Sequence, residues 1–324
     1  MIPMPAIGTY FLPSHDTLGQ GELAMCWLAR GGSSLAVMIL LSCVSWALQE
    51  QTYDLRGPAP QKGMTFRTTT ILKIKDADTT LKVMGQSLKM KMSMKMESDE
   101  EQKILEVNGR EVTKSQAHIH KERAVITSDF GGGMEITQPT ELEGQTIISE
   151  LVGKGKWKHR LLDVQPTEKQ KKELDNRIGV ENDDELFPEG KVAVGHQWEV
   201  PADALRKMFG NSIIDVKGKI RQKFVRVEKL DGEECAVIES EGKIKGKMKN
   251  EDGEPTIDVI MELKATAWRS LKTGVELKGN FSGRIELSGT QKVDDAEVMI
   301  EMQGPFSGES RTEILSMKKK VIKD

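Results

Sequence analysis

Apolar and polar positions alternate with period two from about residue 64 onward, which predicts strands. Met64, Phe66, Leu72 and Ile74 fall on one side, with Thr68 and Thr70 between them. Arg67, Lys73 and Lys75 fall on the other. Met84, Leu88, Met90, Met92, Met94 and Met96 form the next stripe, opposite Lys89, Lys91 and Lys95. Shorter strands are predicted at Ile104–Val107, Ser115–Ile119 and Ala124–Thr127, with a tight turn at Asn108-Gly109.

The C-terminal part repeats the theme. Lys217–Val227 and Cys235–Lys249 flank the hairpin signal Asp231-Gly232. Gly242, Ile244, Gly246 and Met248 share one face of the second strand, and Lys243, Lys245, Lys247 and Lys249 the other. Ile257 to Ala267 and Val275 to Gly289 alternate in the same way, and Val298, Ile300 and Met302 open a last strand pair ending near Met317. Strands of ten to fifteen residues joined by short turns describe antiparallel meanders with one buried and one solvated face. Strands this long must twist, so the expected fold is mainly β, curled into one or two half-barrel-like sheets.

Two short helices interrupt the strands. Thr167-Glu168-Lys169-Gln170 is a capping box that starts a helix ending near Gly179, with Leu174 and Ile178 as its apolar contacts. The second is predicted from Pro201 to Gly210, where Leu205, Met208 and Phe209 share a face. The acidic segment Glu181–Glu189 between them reads as a loop. The expected organisation is a leader over 1–47, an N-terminal meander over 48–165, a helical connection over 166–210 and a C-terminal meander over 211–324. Val152-Gly153…Trp157 and Val194-Gly195…Trp198 form a weak internal echo of two similar halves.

The leader reading rests on Arg30 followed by an apolar run from Leu35 to Ala47, shorter than the roughly 20 residues of a membrane-spanning helix. It suits a secretory signal peptide cut after Ala47, with Ser45 and Ala47 as the small residues. Lipid attachment at Cys43, after Leu40-Leu41-Ser42, and an uncleaved anchor are the alternatives. Residues 1–24 resemble no part of a signal, and Met25 is a sensible alternative start. Cys235 is then the one cysteine of the exported chain, so no internal disulfide forms.

Charge excludes one class of partner. The chain carries 47 basic and 50 acidic residues, interleaved, and only two Tyr and eight Phe, so neither a basic patch nor a stacking platform points to nucleic acid. No cofactor motif is present. Gly131-Gly132-Gly133 lacks the Lys-Ser/Thr and the helix of a phosphate loop. His118 and His120 share a strand face, where a third ligand would make a metal site, but Ala117 and Ile119 place that face toward solvent. His159 and His196 read as surface or loop residues. Acidic Glu233 and Glu234 blunt Cys235 as a nucleophile. The carboxylates alternate onto solvated faces, which argues against a buried titratable cluster and against an enzyme.

The Met stripe is core filler, an adaptable contact surface, or a soft-metal site, in that order. Gly242, Gly246, Gly279, Gly283 and Gly289 fall on the apolar face, either to let the sheet bend or to open a groove. These features give a candidate ligand face of Met90, Met92, Met94, Leu205, Phe209, Gly279, Phe281 and Gly283. An unfilled apolar groove of ~300 Å³ or more would favour a carrier.

Pro188-Glu189-Gly190-Lys191-Val192-Ala193-Val194-Gly195-His196-Gln197-Trp198 resembles a V-x-V-G-x-x-W motif of secreted bacterial β-rich proteins of unknown function. The layout of leader, curled sheet and few helices is similar to periplasmic lipoprotein-carrier half-barrels. The first resemblance implies that Trp198 anchors a loop where it enters a strand. Neither implies catalytic residues. The expected function is a periplasmic or extracellular non-catalytic binding protein for a lipid or lipoprotein partner, not an integral membrane protein once the leader is cut. The alternative is an envelope structural or interaction module without a small ligand.

Overall fold

The computed structural model describes residues 51–316, apart from 131–132, 154, 181, 202–203, 206–212, 250–254 and 294–295. The leader, Cys43, Phe209 and most of the second predicted helix lie outside the described residues. The alternation becomes β1 (Thr52–Asp54), β2 (Thr65–Val83), β3 (Gln86–Asn108), β4 (Glu111–Ser128), β5 (Met134–Pro139), β6 (Thr146–Gly153) and β7 (Lys156–Leu161). After helix α1 (Glu168–Asn176) and a 3-10 turn at Asp184–Leu186 come β8 (Lys191–Ala193) and β9 (Gln197–Val200). Then follow β10 (Ile213–Leu230), β11 (Glu233–Lys249), β12 (Pro255–Ser270), β13 (Glu276–Val293) and β14 (Ala296–Ser316).

Twelve strands form one antiparallel, open sheet in the order β7-β6-β4-β3-β2-β14-β13-β12-β11-β10-β9, with β5 beside β4. β1 and β8 form a separate two-stranded ribbon. The two predicted meanders join where β14 pairs with β2 along most of both strands. Strands are longer than their sequence signals. Ile104–Val107 belongs to the 23-residue β3, Ser115–Ile119 and Ala124–Thr127 are both β4, and the expected last strand pair is the single β14. The polar stretch Ser98–Lys103 stays in the ladder because β2 and β4 satisfy its backbone on both sides.

Asp231-Gly232 makes the expected turn, with φ of 51° and 89°. Met84 leaves the Met stripe: it shares the β2–β3 turn with Gly85 at φ 49° and stands exposed. The register slips where Ile74 faces Met94 and Ala77 faces Met92, with Asp76 at φ 47° between them. This bulge turns both Ile74 and Ala77 inward and bends the sheet.

The inner face carries the main core. Leu72, Ile74, Met94, Ile238, Met261, Phe281 and Phe306 pack there with Leu186, Phe187 and Leu205 from the connection and Leu55 from the N-terminal strap of residues 52–63. α1 begins at the predicted capping box, where Thr167 and Gln170 bond reciprocally, and it buries Leu174. It ends at Asn176, because Arg177 is extended. Of the second helix, Ala204 and Leu205 are described. Their N–H groups donate to Pro201, and both side chains are buried.

Candidate functional site

At one end of the sheet the inner face carries Met64, Phe66 and Thr68 of β2, Ile104 of β3, Val112 of β4 and Thr312 of β14. Val275 lies beside them, just ahead of β13. Pro58 and Pro60 of the strap and Val180 and Leu186 of the connection close over them. Between wall and cover lies a cavity of about 340 Å³. Its floor is apolar apart from Thr68 and Thr312, whose hydroxyls bond to each other at 3.1 Å.

Two arginines hold the cover down. Arg269, buried near the end of β12, grips Asp183 with both terminal nitrogens (2.5 and 3.1 Å) and donates to the carbonyls of Leu55 (2.6 Å) and Arg56 (3.1 Å). Its guanidinium also lies 4.0 Å over the Phe187 ring. Arg110, in the β3–β4 turn, grips Asp184 at 2.5 and 2.6 Å and donates to the carbonyls of Gly57 and Arg56. Burial works against the Asp184 carboxylate, but hydrogen bonds from Arg110 and Asn182 hold it below its ordinary pKa. The predicted acidic loop is thus the handle by which the connection is fastened. Gly57 and Gly274 touch backbone to backbone beneath the strap: a Cβ on Gly57 would sit 2.5 Å from Gly274 Cα.

A polar band crosses the same inner face. Glu100 keeps the parity of Met94 and Met96, and an extra residue at His120 turns Glu122 to the same side. Arg177, directly after α1, bonds to Glu100 (2.5 Å) and Glu122 (3.4 Å). Burial raises the Glu122 pKa, partly offset by Arg177. This corrects the expectation that the carboxylates all face solvent: their strand parity already points inward, and the arginine brought in by the connection compensates them. His159 is likewise no loop residue. It lies on β7, bonds through Nδ1 to the hydroxyl of Ser149 at 2.8 Å, and is pushed down to a pKa of about 4 by burial and by Arg177. Ser149 is the cross-strand neighbour of His159 and is itself buried, so their bond through Nδ1 is a structural one within the sheet.

The residues singled out from the sequence are scattered around this geometry. Met94, Leu205 and Phe281 are buried in the main core; Met92 packs at its margin, and Met90 is half-buried. The Phe281 ring occupies the space over Gly308, and the Phe306 ring lies against Gly283. Gly279 is buried and pairs with Ala267. None of the seven that are described lines the cavity. His118 and His120 stack edge to face at 4.5 Å on the outer side, where His118 bonds to Thr146. Among the described residues no three His, Cys, Asp or Glu side chains form a group that could hold a metal. Cys235 is buried, and burial and Glu233 push its thiol up to about 11. Within the V-x-V-G-x-x-W segment, Gly195 N–H donates to Phe224, His196 accepts from Phe224, and the Trp198 indole donates to Leu186 at 2.8 Å.

No family model and no curated protein match this chain. Several solved structures are similar to this chain. They include the outer membrane protein OprG from Pseudomonas aeruginosa (7% identity, 81% of this chain and 100% of that one, TM-score 0.19). A DUF1329 family protein from Desulfovibrio piger (8%, 81% and 88%, 0.13) and an outer membrane lipoprotein-sorting protein domain from Vibrio parahaemolyticus (12%, 81% and 89%, 0.16) are others. TM-scores this low carry no argument about function. Among the described residues no helix is long and apolar enough to cross a membrane.

Proposed function

We propose that this protein is an exported, non-catalytic binding protein of the cell envelope, and that the cavity beneath its strap receives one acyl chain of a lipid or acylated partner. The observation that supports this reading is an apolar-floored space of about 340 Å³, near the small end of the range of ligand pockets. A space of that size suits a single chain better than a two-chain lipid. The strap and the connection would serve as its cover, since both are fastened at discrete points by Arg110 and Arg269.

The test is native mass spectrometry of protein purified from its own host, repeated with Val275→Phe, which fills the cavity. Near-stoichiometric co-purifying lipid in the wild type, lost in the variant, is the expected result. A ligand-free mass together with no uptake of a fluorescent fatty-acid probe would overturn it. A second reading, a contact surface for a protein partner, is favoured by a different observation: Met134 and Ile136 of β5 stand exposed beside half-buried Ile126.

A further inference from the structure

Three guanidinium groups line the cavity, and they are not equivalent. Arg110 and Arg269 each hold an aspartate with two nitrogens and reach strap carbonyls as well. The side chain of Arg56 is differently placed. Its backbone is fixed, because its carbonyl accepts from both Arg110 and Arg269 and its N–H donates to Asp54. Its Nε is buried with no hydrogen-bond partner among the described residues. One terminal nitrogen meets Glu189 at 3.6 Å, whose carboxylate is 89% exposed, and the guanidinium lies within electrostatic reach of Asp184. A pair that open to water contributes little and is readily exchanged.

A buried guanidinium donor without an acceptor is costly, and the Nε–Nη edge of arginine matches two oxygens of a carboxylate or phosphate. Two of the acidic side chains around it, Asp183 and Asp184, are already engaged by the other two arginines; Glu276 also lines the cavity. Resting on the carrier reading above, we infer that the ligand of this cavity is a single-chain amphiphile with an anionic head, and that Arg56 is the residue that binds the head while Met64, Phe66, Ile104, Val112 and Val275 hold the chain.

Calorimetric titration of the full mature protein with decanoate, decyl phosphate, decanol and decylamine tests this. The expected result is that one or both anions bind at least about tenfold more tightly than decanol and decylamine, and that Arg56→Gln removes the preference while leaving decanol affinity unchanged. The better of the two anions identifies the head as carboxylate or phosphate. Equal affinities across the series, or a preference for anions that survives in Arg56→Gln, would overturn the assignment of Arg56 while leaving the cavity reading intact. Binding of none of the four would overturn the cavity reading, and this inference with it. The wild-type comparison stands even if the variant folds poorly.

Discussion

Gly57 and Gly85 both have positive φ, 68° and 78°, but their surroundings differ. A Cβ on Gly85 would meet nothing within 4 Å, whereas a Cβ on Gly57 would sit 2.5 Å from Gly274 Cα and 2.8 Å from Gly274 N. Alanine at either position carries the same left-handed backbone cost, about 1–2 kcal/mol. At Gly57 the overlap is with backbone and cannot be relieved by a rotamer change, so the strap must lift or the β12–β13 turn must move. Overpacking of that kind adds about 1–3 kcal/mol. Gly57→Ala should therefore lose about 3 kcal/mol and Gly85→Ala about 1. Urea unfolding followed by tryptophan fluorescence measures both. Lifting the strap would also expose Leu55, so Gly57→Ala should be nicked by protease between residues 55 and 63 under conditions that leave Gly85→Ala intact. Equal losses in the two variants, or an intact strap in Gly57→Ala, would show that the Gly57–Gly274 contact does not fasten the strap.

Arg269→Met should cost about 3 kcal/mol in the same assay, since it strands the Leu55 carbonyl and removes the stacking on Phe187, while half-exposed Asp183 rehydrates; a loss below about 1 kcal/mol would refute the clamp. His159 has a folded pKa of about 4 against an ordinary 6.5, so the unfolded chain takes up its proton first. Its contribution to stability is therefore present above pH 6.5 and is lost as pH falls toward 4. His159→Gln should flatten the stability profile in that window, as thermal melts at successive pH values would show. Cys235, buried and with its thiol pushed up to about 11, should resist alkylation in native protein at pH 8 and react once denatured; labelling followed by mass measurement decides it.

The strands of the C-terminal half were legible because their inward positions are almost uniformly apolar. Ile257, Val259, Met261, Leu263, Ala265 and Ala267 are all buried, as the alternation predicts. The cavity was not legible, for a physical reason. Its walls come from ordinary inward positions such as Met64 and Ile104, and what makes it a cavity is the cover, whose attachment depends on contacts remote in sequence. Arg269 and Asp183 are 86 residues apart, and Arg110 and Asp184 are 74 apart. No local periodicity records such pairs. The Met stripe illustrates the same limit: parity places Met90, Met92 and Met94 on the inner side, but whether each is covered depends on where the connection crosses.

The crossing nevertheless leaves a mark in the alternation. From Leu72 back to Phe66 on β2, and from Met96 on to Ile104 on β3, the inward parity passes through Thr70, Thr68, Ser98, Glu100 and Gln102. An apolar face that turns polar for three successive inward positions and then apolar again would be costly if hydrocarbon lay over it. It is inexpensive only where a polar or charged group is brought in to meet it. Here that group is Arg177, on the segment that leaves α1. Beyond it the face is apolar again, and the space under the cover is the cavity. Glu100→Leu should therefore do more than remove an ion pair. It leaves Arg177 the longer 3.4 Å contact with Glu122 and the charge of Glu173, and it should loosen the connection as a whole. Hydrogen exchange over residues 177–187 would rise in that variant if the polar band is what seats the cover; an unchanged exchange pattern would show that Arg110 and Arg269 hold it without help.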